Sequence, residues 1–109
     1  MLTSGCGIDD GPPLSATAAA GRDLAADAGC MSCHGDNGTG GVGPAWTGLA
    51  GSTVELSDGT TILADADYLV RSIADPAAEQ VASYTLAMPT NSLTDDQVNL
   101  VVAYIQELK

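Results

Sequence analysis

Cys30-Met31-Ser32-Cys33-His34 is the stretch on which the reading of this chain turns. Two thiols three positions apart, followed at once by an imidazole, are the pattern by which a haem is attached. The thiols add across the two haem vinyl groups, and the short intervening loop puts the next side chain, His34, under the iron as an axial ligand. Two other chemistries use such residues. A thioredoxin-like pair requires the two cysteines at the end of a strand in a βαβ setting. Here an Ala-rich helical pattern precedes Cys30 and a Gly-rich loop follows His34. A structural zinc site requires four ligands. The chain offers only Cys6, Cys30, Cys33 and His34 as nitrogen and sulfur donors, with Cys6 far upstream. Haem attachment through Cys30 and Cys33 is the preferred reading.

A second axial ligand follows by elimination. His34 is the sole histidine, so bis-histidine ligation within the chain is impossible. Of the three methionines, Met1 sits at the terminus and Met31 is trapped inside the attachment loop, which leaves Met88. It lies far enough beyond His34 for the chain to wrap round the haem edge, and Pro89 stiffens the backbone beside it. The plain alternative is a buried core methionine. In a chain committed to haem, Met88 is the expected ligand, because His/Met pairing is a standard haem ligation that raises the reduction potential.

At 109 residues the chain suits one domain. Hydrophobic residues make up 45%, yet Phe is absent and aromatics are 4%, so Ala, Val, Leu, Ile and the haem itself must fill the core. Three Lys and Arg stand against 14 Asp and Glu, a formal charge of −11. Such a field excludes nucleic acid as a partner and predicts steering toward a basic docking surface on a redox partner. Solvated acidity that only keeps the protein in solution is the competing reading.

No stretch approaches the run of about 20 apolar residues that a membrane span needs. Met1-Leu2-Thr3-Ser4-Gly5 is too short to hold a signal sequence. Covalent haem attachment still implies an extracytoplasmic home, in the bacterial periplasm or on the outer face of the cytoplasmic membrane. The expectation is therefore of a leader trimmed or replaced. Thr3-Ser4-Gly5-Cys6 resembles the end of a lipoprotein signal, with Cys6 as the residue to be lipidated, although Thr3 stands where an aliphatic residue is usual. A leftover cysteine in a flexible tail is the equal alternative. Membrane contact is expected only through that anchor or a missing upstream segment.

Residues 1–14, with Gly5, Gly7, Gly11, Pro12 and Pro13 and no periodicity, have the composition of a linker or tether; the domain proper is residues 15–109. Ser15 is the expected N-cap of an Ala-rich helix running to about Ala28, with Gly29 as its stop. Gly21 inside it costs about 1 kcal/mol relative to alanine, which a close helix crossing would explain. From Gly35 to Gly48 runs a glycine loop able to press against a flat macrocycle. Trp46 within it is the sole tryptophan, and a haem propionate is a candidate acceptor for its N–H. It lacks the Gly-Lys-Ser/Thr ending and preceding strand of a phosphate loop.

The alternating runs around Ser57-Asp58-Gly59 predict a small β-hairpin over 53–63 on the haem rim. Asp65 or Asp67 then caps a helix containing Tyr68, Leu69, Val70 and Ile73, ended by Pro76. A shorter helix is expected over Ala77 to Ser83, then a loop from Tyr84 to Leu93 that delivers Met88. Thr94-Asp95-Asp96-Gln97 is a capping box opening a terminal helix of about 15 residues. Its apolar face is Val98, Val101, Val102, Ile105 and Leu108, and Tyr104 is the natural knob for the gap left by Gly21.

Taken together, Gly21, the Cys30 to His34 motif, Gly43-Pro44, Met88-Pro89 and a C-terminal helix with Tyr104 resemble class I cytochromes c in order and spacing over residues 15–109. The stretch from Val54 to Gly59, then Ala64 to Leu69 with Ser72-Ile73 and Pro76, is similar to the cytochrome c domain fused to subunit II of some bacterial haem–copper oxidases. The resemblance implies an all-α cytochrome c fold of three to five helices around one covalently bound haem c. It implies His34 and Met88 as axial ligands and the Pro44 carbonyl as the acceptor from His34, a bond that orients the ring. Two departures stand out. Ala25 replaces an aromatic common in the family, and no lysine ring surrounds the haem edge, so the docking logic of mitochondrial relatives does not transfer.

The expected function is one-electron transfer without bond making or breaking, and so not enzymatic turnover. It would serve a respiratory or related chain as a soluble or tethered carrier or as an oxidase-associated domain, with a membrane oxidase among its partners. Trp46 and Arg71 are the groups expected to meet the propionates, Arg71 because Arg22, Arg71 and Lys109 are the only cationic side chains. The alternative is a gas sensor or peroxidase-like protein whose sixth ligand is labile.

Overall fold

The computed structural model describes residues 13–109. Cys6 and nearly all of the expected tether lie outside them. Among the described residues there are four α-helices, α1 (Ala16–Asp27), α2 (Met31–His34), α3 (Ala66–Ala74) and α4 (Asp95–Glu107), and one antiparallel pair of strands, β1 (Thr53–Glu55) and β2 (Thr61–Leu63). The architecture is mostly helical, as the sequence predicts.

Each helix starts where a side chain can satisfy its free N–H groups. The Ala18 N–H donates to Ser15, and the Tyr68 N–H donates to Asp65, which caps α3 in preference to Asp67. At α4 the capping box is complete: the Gln97 N–H donates to Thr94 and the Gln97 side chain accepts from the Thr94 N–H. Asp95 and Asp96 lie in that first turn, where the helix dipole favours them.

The core sits between α1 and α4, the most extensive helix pair among the described residues. Ala18, Gly21 and Ala25 form the buried face of α1; Val98, Val101, Val102, Tyr104 and Ile105 form that of α4. At the crossing a Cβ on Gly21 would fall 1.9 Å from the Leu100 carbonyl oxygen and 3.1 Å from Tyr104 Cβ. The gap at Gly21 is thus taken up by the α4 backbone, and the Tyr104 ring runs past it to meet Trp46. A second tie joins the outer ends of the two helices, where the Ser15 N–H and hydroxyl donate to the Glu107 carboxylate at 3.0 and 2.5 Å.

The hairpin pairs Val54 with Ile62 and turns through Asp58, whose carboxylate accepts from the Thr60 N–H and hydroxyl. Residues 77–83 differ from expectation: no helix forms there. Their backbone is spent on the hairpin instead. The Ser57 N–H donates to the Gln80 carbonyl and the Ala82 N–H to the Glu55 carbonyl, so that Val81 bridges Leu56. A helix would have needed those same groups for itself. No described helix is long and apolar enough to cross a membrane.

Candidate functional site

The chain leaves α1 at Gly29, in a left-handed conformation, and re-enters helical geometry at once with Cys30 as the N-cap of α2. Four residues suffice to put Cys33 and His34 on that short turn, both lining a cavity of about 450 Å³ together with Cys30. This volume lies within the range of small-ligand and cofactor pockets. Both described thiols are free. Burial pushes the Cys30 thiol up from its ordinary value, against its own backbone hydrogen bond and with a further push from Cys33. It therefore stays a neutral thiol at neutral pH.

His34 is held from several sides. Its Nδ1–H donates to the Pro44 carbonyl at 2.7 Å, the partner that the family resemblance implies, so Nε2 keeps its lone pair. Burial lowers the imidazole below its ordinary pKa, with the Pro44 bond pulling the other way, and the ring is neutral at pH 7. The Trp46 indole stacks on it at a centroid separation of 4.7 Å and 26° between planes. The glycine loop makes this closeness possible. The Gly43 N–H donates to the Cys33 carbonyl at 2.8 Å, and a Cβ on Gly43 would come within 3.2 Å of His34 Cε1.

Met88 lines the same cavity. Among the described residues, the backbone from Thr85 to Leu93 forms no backbone–backbone hydrogen bond, so side chains anchor the segment. At one end the Gln80 side chain donates to the Tyr84 carbonyl, and at the other the Asn91 side-chain amide donates to the Ile73 carbonyl at 2.9 Å. Leu69, Ile73 and Ile105 supply apolar wall between the two sides.

The structure thus brings Cys30, Cys33, His34, Pro44, Trp46 and Met88 to one cavity. Arg71 stands apart from that lining. Its guanidinium donates to Glu79 at 2.7 and 3.2 Å and lies over the Tyr68 ring at 5.8 Å, and Glu79 holds its pKa above the ordinary value. Glu79 and Tyr68 both face the cavity, and sequence reasoning passed over them. The Arg71–Glu79 pair spans eight positions across the turn at Pro76, a spacing that no helix or strand period signals. The rival readings of the cysteine motif lack their settings: Cys30 follows a helix, and no group of three or more metal-ligating side chains gathers among the described residues.

A family model, that of cytochrome c, matches residues 18–109. The chain belongs to the cytochrome c family. A cytochrome c carries electrons on a covalently bound c-type haem, and the residues present fit that group. Two free thiols, an imidazole with an open Nε2 and a thioether face one largely apolar space. No curated protein matches the chain.

Proposed function

We propose that this cytochrome c is a one-electron carrier holding a single haem through thioether bonds from Cys30 and Cys33, with His34 and Met88 as its axial ligands. The observation that carries the proposal is the convergence of these four side chains on one cavity, with the far nitrogen of His34 already committed to Pro44.

When bound, the haem supplies a one-electron couple. Everything else is the work of the chain. Cys30 and Cys33 hold the group, and Pro44 orients the His34 ring and raises its basicity. Met88 would hold the group as its second ligand and keep external molecules from it. Leu69, Ile73 and Ile105 keep water from that wall. The propionates are the expected partners of the Trp46 N–H and of Arg71, the latter once its pair with Glu79 opens.

The protein acts, in this reading, in a respiratory or related chain outside the cytoplasm. We read the stretches from Val54 to Gly59 and from Ala64 to Leu69 as pointing to an oxidase-associated or tethered form, with Cys6 as the site of any lipid anchor. The −11 charge favours a partner with a basic docking face and leaves no role for nucleic acid. One observation favours a second reading, a sensor or peroxidase-like protein: among the described residues the segment from Thr85 to Leu93 is tied by side chains and by no backbone–backbone hydrogen bond, which leaves Met88 thinly held.

Spectroscopy of the matured protein separates the two. Firm Met88 ligation gives the weak far-red band of methionine–iron(III), lost in Met88→Ala, and no Soret shift when carbon monoxide meets the reduced wild type at neutral pH. A prompt shift in the wild type would overturn the carrier in favour of the sensor.

A further inference from the structure

The Pro44 carbonyl fixes one nitrogen of His34 but not the tilt of the ring, because an imidazole can rock about the axis of a single hydrogen bond. A second constraint is needed to set the ring plane, and Trp46 has the geometry to supply it. Its indole lies nearly flat against the imidazole, at 4.7 Å and 26°. The indole is itself immobilised. Only 4% of Trp46 is exposed, its backbone N–H donates to the Gly38 carbonyl at 2.8 Å, and Gly38 leaves no room behind it, since a Cβ there would sit 2.9 Å from Trp46 Cβ. From α4 the Tyr104 ring meets it in an edge-on arrangement at 6.1 Å and 87°.

We infer that Trp46 is a positioning residue for the proximal ligand, setting the plane of the His34 imidazole and shielding it from water, with Tyr104 as its buttress. The inference rests on His34 being an iron ligand, and it gives Trp46 a role separate from any contact of its N–H with a propionate. Two physical consequences follow. The orientation of a ligand plane sets the anisotropy of a low-spin ferric centre. An apolar cover over the ligand keeps the local dielectric low, which disfavours the more highly charged oxidised state.

The test uses the haem-loaded protein and two variants, Trp46→Leu and Trp46→Phe. Electron paramagnetic resonance of the oxidised form and a midpoint titration are the readouts. Trp46→Leu is expected to displace the principal g-values and to lower the midpoint potential, with Trp46→Phe falling between it and the wild type. A loss of packing alone would lower the melting temperature and leave g-values and potential in place, and that result overturns the inference. Should Trp46→Leu fail to fold, Trp46→Phe carries the test, and g-values identical to wild type overturn the inference equally. A wild type lacking the low-spin signature of an imidazole-bound haem would overturn His34 ligation itself. A normal wild type with inert Trp46 variants overturns the role of Trp46 alone.

Discussion

His34 shows how much backbone a single side chain can require. Its hydrogen-bond partner is a carbonyl, and its neighbour on one side is the bare Cα of Gly43. Gly43→Ala would place a methyl 3.2 Å from Cε1 and 3.3 Å from Nδ1, tighter than ordinary contact, while the Cys33 carbonyl oxygen lies 3.4 Å away. The ring must give way, at a cost of about 1–3 kcal/mol for overpacking, and its bond to Pro44 lengthens. A weaker bond leaves the imidazole less basic and the oxidised iron less stabilised. The variant should therefore melt earlier and show a higher midpoint potential in a redox titration; an unchanged potential would mean that the Pro44 bond does not tune the iron. The motif at Cys30 to His34 was legible at this scale because its chemistry is local. The stack of Trp46 on His34 was not, since the two residues meet only after the glycine loop has turned.

At the scale of elements, the α1–α4 crossing depends on one missing side chain. With Leu100 oxygen only 1.9 Å from where a Cβ would stand, Gly21→Ala cannot be absorbed by a rotamer change and must part the helices. A loss of about 3 kcal/mol or more is expected, read as a fall in melting temperature, and a variant as stable as wild type would show that the helices slide freely. The Ser15–Glu107 tie has its own signature. The Ser15 hydroxyl, then its N–H, hold the Glu107 carboxyl below its ordinary range. A depressed folded-state value means that stability is present above the unfolded value of about 4.3. It is lost as pH falls through the folded value. Glu107→Gln should lower the melting temperature near neutrality, and the gap should close in acid; a gap constant across that range would sink the assignment. Caps and apolar faces announce such helices in sequence, as Thr94 to Gln97 do. The missing helix over 77–83 marks the limit: its local pattern was helical, but bonds to Glu55 and Ser57, more than twenty residues earlier, took its backbone.

For the whole molecule the dominant quantity is charge. Of the three cations, Arg71 is paired with Glu79 and Arg22 with Asp23 at 3.3 Å, so the surface potential is set by unpaired acids. Reduction by a small cationic reagent should slow as salt is added, and reduction by an anionic one should speed up, in stopped-flow measurements across the range where the Debye length falls from about 30 to 8 Å. Flat responses from both would place the acids too far from the site of electron exit to matter. The acidity was plain from composition, whereas the pairing that uses up the arginines required the fold.

Because α1 and α4 bury one another, neither can complete its apolar contacts until the two have docked. With α4 undocked, the buried face of α1 is bare and Ile105 is missing from the wall that faces Cys30 and Cys33. The C-terminal helix is therefore the latch of the fold, and the cavity is shut only when it seats.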